Sequence, residues 1–151
     1  DKTININLKG TYLTLHYAVP HLKRAGGGSI IITSSVNGSR VFFNAGTSVY
    51  SASKAGQLSL MKSMALELGR HNIRCNAICP GAIRTNIGER TEIRNTASIG
   101  LQIQFPNGSP ALNQGRATPS EVADACLFLA SDLSRHVSGV ELFVDGGASL
   151  L

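Results

Sequence analysis

Residues 29–35, SIIITSS, form a short apolar run that is rich in β-branched residues and follows three glycines. Apolar and polar residues do not alternate along it, so both faces of the predicted strand must be covered. Strands of this kind are typical of parallel sheets, whose faces are covered by helices. The run therefore predicts an α/β fold, with helical segments on either side of the strand.

Residues 4–24 predict a helix with one buried face. Apolar residues recur there at steps of three and four, at Leu8, Tyr12, Leu15, Val19 and Leu22. Pro20 is expected to kink or break the last turn, because proline removes a backbone donor. Three glycines at 26–28 are then expected to end the helix. Tyr12 and Tyr17 are expected to pack against the rest of the chain.

The same spacing predicts two further helices. In residues 49–69 the apolar positions are Leu58, Met61, Ala65 and Leu68. Gly69 is expected to stop this helix. The next helix is predicted to start at Thr118, which caps it, with Pro119 in the first turn and Glu121 closing a capping box. The buried face of that helix is predicted to contain Val122, Cys126, Leu129 and Leu133.

Two more strands are predicted, at about 73–79 and about 140–144, where short apolar runs end in glycine-containing turns. Helices and strands therefore alternate along the chain. Alternation of this kind favours an α/β sheet with parallel strands and right-handed crossovers.

The composition suits a folded chain, since hydrophobic residues make up 42% and charged residues 15%. A length of 151 residues predicts a single domain over 1–151. Residues 87–117 have no steady period and are rich in Gly, Asn and Pro. A segment of that length inside a compact domain is expected to be a lid or a disordered segment.

Tyr50 and Lys54 lie four residues apart at the start of the second predicted helix, so their side chains share one face. A phenol has a pKa near 10 and is a weak base at neutral pH. A nearby ammonium group favours the phenolate and lowers that pKa. The pair is therefore a candidate proton donor and acceptor for an alcohol or a carbonyl group.

Small and polar residues follow the first two predicted strands: Ser34 and Ser35 the first, Pro80 and Gly81 the second. In open parallel sheets, ligands bind at the carboxyl ends of the strands. A serine hydroxyl there can donate a hydrogen bond to a substrate oxygen on which charge develops, although capping of the strand is the alternative role. Gly81 is expected to let the backbone approach a ligand closely.

Four motifs occur in order: S-S-x-x-G at 34–38, Y-S-A-S-K-A at 50–55, N-x-x-x-P-G-x-x-x-T at 76–85 and S-G-x-x-x-x-V-D-G-G at 138–147. Together with I-N-L-K-G at 6–10, they make the chain resemble the short-chain dehydrogenase/reductase family from end to end. The resemblance implies a Rossmann-like, doubly wound parallel sheet, of which this chain supplies the C-terminal part, about three strands with flanking helices. It also implies an NAD(P)-dependent oxidoreductase that interconverts an alcohol and a carbonyl.

The resemblance also implies a role for individual residues. Tyr50 is expected to be the catalytic acid/base, and Lys54 to bind the ribose of a nicotinamide cofactor and lower the pKa of Tyr50. Ser35, with Ser34 as the alternative, is expected to hydrogen-bond the substrate oxygen. Asn7 is expected to anchor a water that relays protons to Lys54. The remaining positions, expected to lie along the nicotinamide and its phosphate, are Pro80, Gly81, Ile83 and Thr85.

The N-terminal half of that family contains a Gly-rich turn after the first strand and a residue that selects the cofactor. Neither occurs in this chain, and the glycines at 26–28 follow a helix rather than a strand. The cofactor is therefore expected to be NAD or NADP, with no residue here to choose between them. The first strand of such a partial domain is expected to have an open apolar edge, which favours aggregation or oligomerisation.

Charge and cysteine content restrict the partners. The net charge is +5, but the basic residues are scattered and only 5% of residues are aromatic, so no nucleic-acid partner is expected. No apolar run is long enough to cross a membrane. His71, Cys75 and Cys79 are expected to form no metal site, because the thiols behave as small buried hydrophobes. Three cysteines without a framework spacing suit a cytoplasmic location.

A small alcohol or carbonyl substrate is expected, and so is a homo-oligomer formed through helices 4–24 and 49–69. Leu58, Met61 and Met64 could serve such an interface or the core of one subunit. Two other functions stay open: a catalytically inactive fragment or pseudoenzyme that retains only a dimerisation surface, and a basic RNA-associated domain, suggested only by the pI near 9.5. The resemblance implies that residues 87–117 are the variable substrate loop or lid of the family, but they carry no chemistry that identifies the substrate.

Overall fold

A computed structural model of the chain describes residues 1–42, 44–87, 91, 95–100, 112 and 115–151. Most of the predicted lid at 87–117 lies outside these residues. The described part of that segment includes a short 3-10 helix at Thr96–Ile99. The assignment of 87–117 as a lid therefore stays a prediction.

Three strands form the sheet: β1 (Gly28–Thr33), β2 (Ile73–Pro80) and β3 (Glu141–Val144). They are parallel and lie in the order β1-β2-β3, with Thr33 opposite Ile78. The predicted parallel α/β sheet is confirmed, and each strand lies within two residues of its predicted limits.

Helix α1 (Gly10–Arg24) follows a π-helical turn at Ile4–Lys9. The helix continues through Pro20 to its end, so the predicted break at that residue is absent. Gly26 adopts a φ of +83°, and the N–H groups of Gly26 and Gly27 bond back to carbonyls of the last turn. This is a Schellman motif, which confirms the predicted end of the helix at the glycines.

Helix α2 (Ser48–Gly69) buries Leu58, Met61 and Leu68 as predicted. Gly69 is the last helical residue and does not itself adopt a positive φ. The chain turns toward β2 at Asn72, whose φ is +57°. Asparagine tolerates this left-handed conformation better than most residues. The helix itself ends at Gly69, as predicted.

Helix α3 (Pro119–Ala130) begins at the predicted capping box. The Glu121 carboxylate accepts hydrogen bonds from the backbone N–H of Thr118 at 2.5 Å and from its hydroxyl at 2.9 Å. Leu129 is fully buried, but Leu133 is 78% exposed, which corrects its placement on the buried face. Leu133 lies beyond the end of α3, in a 3-10 turn, so helical spacing does not apply to it.

Helices cover both faces of the sheet. On one face, α1 and α2 pack on a core formed by Leu15, Ile32, Leu58, Met61, Cys75, Ala77 and Cys79. On the other face, the side chains of Ser29 and Arg74 hydrogen-bond the carbonyl of Leu129 in α3.

The two crossovers, β1-α2-β2 and β2-α3-β3, step in the same direction across the sheet. Their helices lie on opposite faces, so the two crossovers have opposite hands. Right-handed crossovers throughout were predicted, so one of the two crossovers departs from that rule.

Helix α1 buries little of its surface. Leu15 is its only buried residue, and Tyr12 and Tyr17 are 53% and 69% exposed. The expectation that both tyrosines pack was wrong, because the π-helical turn before α1, rather than α1 itself, makes the main contact with α2. Among the described residues, no helix is both long and apolar enough to cross a membrane.

Candidate active site

A cleft of about 390 Å³ opens where the carboxyl ends of β1 and β2 meet the start of α2. Parallel strands end at the same edge of a sheet, so segments that are distant in sequence meet there. The cleft brings together the predicted residues Ser34, Ser35, Tyr50, Lys54, Pro80, Gly81, Ile83 and Thr85. Asn7 is the one predicted site residue that does not line it.

Tyr50 and Lys54 face this cleft from the first turns of α2. Lys54 Nζ lies 5.6 Å from the centre of the Tyr50 ring and donates a hydrogen bond to the Thr33 carbonyl at 2.9 Å. Burial lowers the pKa of Lys54, and the nearby Cys79 sulfur acts in the opposite direction. An ammonium group has three N–H donors, so two remain after the bond to Thr33.

The two serines after β1 have different hydrogen bonds. Ser34 Oγ donates to the backbone carbonyl of Lys54 at 3.0 Å, which commits its proton to holding α2 against β1. Ser35 Oγ accepts the N–H of Asn37 at 3.2 Å, and its proton faces Asn37 Oδ1 at a long 3.4 Å. The Ser35 hydroxyl can therefore turn to a ligand at little cost, whereas the Ser34 hydroxyl must first break its bond to α2.

Asn37 builds the turn that carries Ser35. It is buried, and its Nδ2 donates to the Val41 carbonyl at 3.2 Å, which closes the loop after β1.

Cys79 lies next to Ser35, and burial raises the pKa of its thiol to about 11. A thiol with that pKa stays protonated at neutral pH and is no nucleophile.

Gly81 lines the cleft, but the space beside it is filled from within the chain. A Cβ at this position would lie 2.7 Å from Asp145 Cβ and 3.0 Å from Asp145 Cα. The close approach that this glycine permits in the structure is therefore to the turn after β3, and its approach to a ligand stays a prediction.

Asn7 lies in the π-helical turn, on the side of α2 next to Tyr50. Its Nδ2 donates to Ser53 Oγ at 3.0 Å, and Ser53 Oγ donates to the backbone carbonyl of Tyr50 at 2.7 Å. Ser53 is completely buried. Asn7 is thus joined to the backbone of Tyr50 through one hydroxyl group, without touching the cleft.

Residues 1–149 match a family model described as Enoyl-(Acyl carrier protein) reductase. A solved structure of a short chain dehydrogenase from Mycobacterium paratuberculosis, bound to NAD, superposes with a TM-score of 0.82 at 34% identity. That match covers 98% of this chain and 55% of the other. The chain belongs to the short-chain dehydrogenase/reductase family.

Two further proteins of this family are similar along nearly the whole chain. A 3-ketoacyl-ACP reductase from Sinorhizobium meliloti is 44% identical with a TM-score of 0.93, and the match covers 99% of this chain and 59% of that one. L-rhamnose 1-dehydrogenase (NAD(P)(+)) from Azotobacter vinelandii is 39% identical over 97% of this chain and 54% of its own length. The chain spans about half the length of the curated relatives it matches.

Several residues that line the cleft, or hold its side chains in place, were not identified from the sequence. Pro119 and Val122 of α3 line the cleft, although the capping box predicted only where that helix starts. Asn37 and Ser53 hold site residues from inside the motifs S-S-x-x-G and Y-S-A-S-K. Their places inside those motifs could have indicated a role, but the sequence does not show that their side chains are buried.

Cys75 and Cys79 are fully buried, as predicted for small apolar thiols. Burial also raises the pKa of Cys75 to about 11. Within the described ranges, His, Cys, Asp and Glu side chains form no group of three that could hold a metal ion.

Proposed function

We propose that this chain carries the acid/base and cofactor-binding residues of an NAD(P)-dependent oxidoreductase that interconverts an alcohol and a carbonyl group. The observation that carries the proposal is the meeting of Ser35, Tyr50 and Lys54 in one cleft at the carboxyl edge of the sheet. The names of two relatives support the cofactor class, since one is an NAD(P)-dependent dehydrogenase and another is bound to NAD.

The residues of the cleft fit a nicotinamide nucleotide. Its volume of about 390 Å³ suits a ring and a sugar, and ligand sites commonly begin at about 300 Å³. Pro80, Ile83 and Val122 give it apolar walls for a flat ring. The two N–H groups that Lys54 keeps free suit ribose hydroxyls, and the Thr85 hydroxyl suits a carboxamide or a phosphate oxygen.

The proposed chemistry divides between the cofactor and the side chains. A bound nicotinamide supplies or accepts the hydride at the substrate carbon. In reduction, the Tyr50 hydroxyl gives its proton to the substrate oxygen, and in oxidation the Tyr50 phenolate takes it back. The Lys54 ammonium lies beside the Tyr50 ring, 5.6 Å from its centre. The Ser35 hydroxyl donates a hydrogen bond to the same substrate oxygen, which stabilises the charge that develops there.

A second proposed property is association with a second copy of the chain through helices 4–24 and 49–69. Ile6 and Tyr17 on the first segment and Leu66 on the second are 61%, 69% and 86% exposed. Large exposed apolar side chains on these two segments suit an interaction surface. A catalytically inactive protein could retain this association. The non-catalytic alternative therefore predicts association without turnover.

The remaining assignments stay predictions. We expect a small alcohol or carbonyl substrate and no nucleic-acid partner, because the cleft is small and the basic residues are scattered. The described cysteines are free thiols, which suits the predicted cytoplasmic location.

The test of the proposed function compares the purified protein with its Tyr50→Phe variant, with Tyr17→Phe as the matched control on an exposed tyrosine. Fluorescence titrations with NADH and NADPH measure cofactor binding, and turnover is measured with a panel of alcohols and carbonyls. We expect saturable binding in all three proteins and a loss of turnover of roughly hundredfold or more in Tyr50→Phe alone. Turnover that is unchanged in Tyr50→Phe excludes the mechanism, and binding without turnover in the unmodified protein favours the inactive alternative.

A further inference from the structure

Gln57 is a polar residue buried in the contact between α2 and the turn before α1. Only 5% of it is exposed. Its Nε2 donates to the backbone carbonyl of Asn7 at 2.8 Å and to Thr11 Oγ1 at 2.7 Å. Thr11 Oγ1 in turn donates to the same Asn7 carbonyl at 2.6 Å. The three groups form a closed ring of hydrogen bonds around one oxygen atom.

This ring fixes the orientation of the Gln57 amide. A carbonyl oxygen only accepts, so the NH2 group must face Asn7 and the Oε1 atom must face away. The Oε1 atom is therefore left to accept a hydrogen bond from another group.

Gln57 Oε1 is buried and accepts no hydrogen bond from any residue that the structure describes. Buried amide oxygens in folded proteins nearly always accept a hydrogen bond, and an internal water commonly donates it. The atom lies at the junction of α2 with the turn that carries Asn7, next to the site but outside the cleft lining.

We propose that Gln57 is a positioning residue for the reaction: it holds Asn7 against α2, and its Oε1 accepts a hydrogen bond from an internal water at this junction. The proposal rests on the proposed function for the part that concerns turnover. Ser53 and Gln57, four residues apart on one face of α2, then fix Asn7 at its side chain and at its backbone respectively.

Local order is the first test, and it needs no turnover. Gln57→Leu removes both donors and the acceptor, whereas Gln57→Glu keeps an acceptor but sets a carboxylate oxygen against the Asn7 carbonyl. Leu60→Ala is the matched control, since Leu60 is a half-buried residue of α2 that packs on the core. We expect amide hydrogen exchange across residues 5–11 to become about tenfold faster or more in both Gln57 variants, and unchanged relative to the rest of the chain in Leu60→Ala. Exchange that stays slow across residues 5–11 in Gln57→Leu overturns the proposal.

Kinetics form the second test. We expect kcat in Gln57→Leu to fall roughly tenfold to hundredfold with KM nearly unchanged, as displacement of a positioned group does. The pH profile of kcat is expected to shift, and Leu60→Ala is expected to keep both. If exchange becomes faster in Gln57→Leu while kcat and its pH profile stay unchanged, Gln57 only holds the local structure, and its role in the reaction is overturned. If the unmodified protein has no turnover, the proposed function fails, and the exchange result still decides whether Gln57 holds Asn7.

The water itself can be observed directly. A crystal structure of the purified protein at high resolution is expected to show a water within about 3.2 Å of Gln57 Oε1. A fully packed junction, with no water at that atom, overturns this part of the proposal.

Discussion

Lys54 Nζ donates a hydrogen bond to the backbone carbonyl of Thr33 across 2.9 Å, and this bond joins α2 to the end of β1. A second bond runs in the other direction, because Ser34 Oγ donates to the backbone carbonyl of Lys54 at 3.0 Å. Lys54 is therefore held to the strand end through both its side chain and its backbone. These two bonds to the end of β1 set the position of its ammonium relative to Tyr50.

Replacing Lys54 with Met keeps the length of the side chain but removes its charge and its donors. We expect NADH or NADPH to bind about tenfold more weakly or worse, since hydrogen bonds from charged groups contribute about 1.5–3 kcal/mol. Fluorescence titration measures the change, with Lys9→Met as the control because Lys9 is exposed. Equal affinity in Lys54→Met and the unmodified protein contradicts the assignment of Lys54 to the cofactor.

Gly38 allows the loop after β1 to pack directly on α2. A Cβ there would lie 2.9 Å from Leu58 Cδ1 and 3.1 Å from the backbone of Lys54. We expect Gly38→Ala to destabilise the fold by about 1–3 kcal/mol in urea unfolding, because the neighbours are tightly packed.

Gly69 provides the matched control for that substitution. It is the last residue of α2, and a Cβ there meets no atom within 4 Å. Gly69→Ala is expected to be neutral or to stabilise the fold by up to about 1 kcal/mol, since alanine favours helices. Equal effects at the two glycines would show that packing at Gly38 is not the cause.

The sequence was sufficient to predict features that depend on neighbouring residues or on short motifs. The strand at 29–35 and the capping box of Thr118 and Glu121 are local, so composition and spacing predicted them directly. The motifs also predicted most of the residues that line the cleft, because strand ends coincide in a parallel sheet.

Features that depend on distant residues were predicted less well. Helical spacing shows which side of α1 is apolar, but not whether another element covers it, so the exposure of Tyr12 and Tyr17 was missed. The contact between Gly81 and Asp145 joins two motifs that are far apart in sequence. The hydrogen-bond ring of Gln57 depends on a π-helical turn, for which apolar spacing gives no signal.

Glu141 of β3 joins two other parts of the fold and makes stability depend on pH. Its carboxylate lies 2.6 Å from Lys62 Nζ of α2 and accepts the Ser39 hydroxyl at 3.0 Å. Burial alone would raise the pKa of this carboxyl, but the hydrogen bonds from Lys62 and Ser39 outweigh it and hold the pKa below its usual 4.5. A carboxyl whose pKa is lower in the folded state stabilises the fold above the unfolded pKa.

We therefore expect the difference in unfolding free energy between the unmodified protein and Glu141→Gln to be present at pH 7 and to shrink as the pH falls below about 4.5. The difference should be modest, because Lys62 is 58% exposed and solvent screens the pair. Urea unfolding across this pH range measures it, with Glu67→Gln as a control at an exposed carboxylate. A difference that is constant with pH contradicts the role of the charged form.

Strand β1 pairs with β2 on one side, and no strand in the described part of the chain pairs with its other edge. An open edge on an apolar strand is a template for pairing with another chain. We expect the 151-residue chain to self-associate, so that its elution volume in size-exclusion chromatography decreases with concentration. Combined replacement of Tyr17 and Leu66 by Glu removes association through the exposed helices, so association that persists in this variant belongs to the edge. A monomer at all concentrations in both proteins contradicts the prediction, and association that disappears in the variant assigns it to the helices alone.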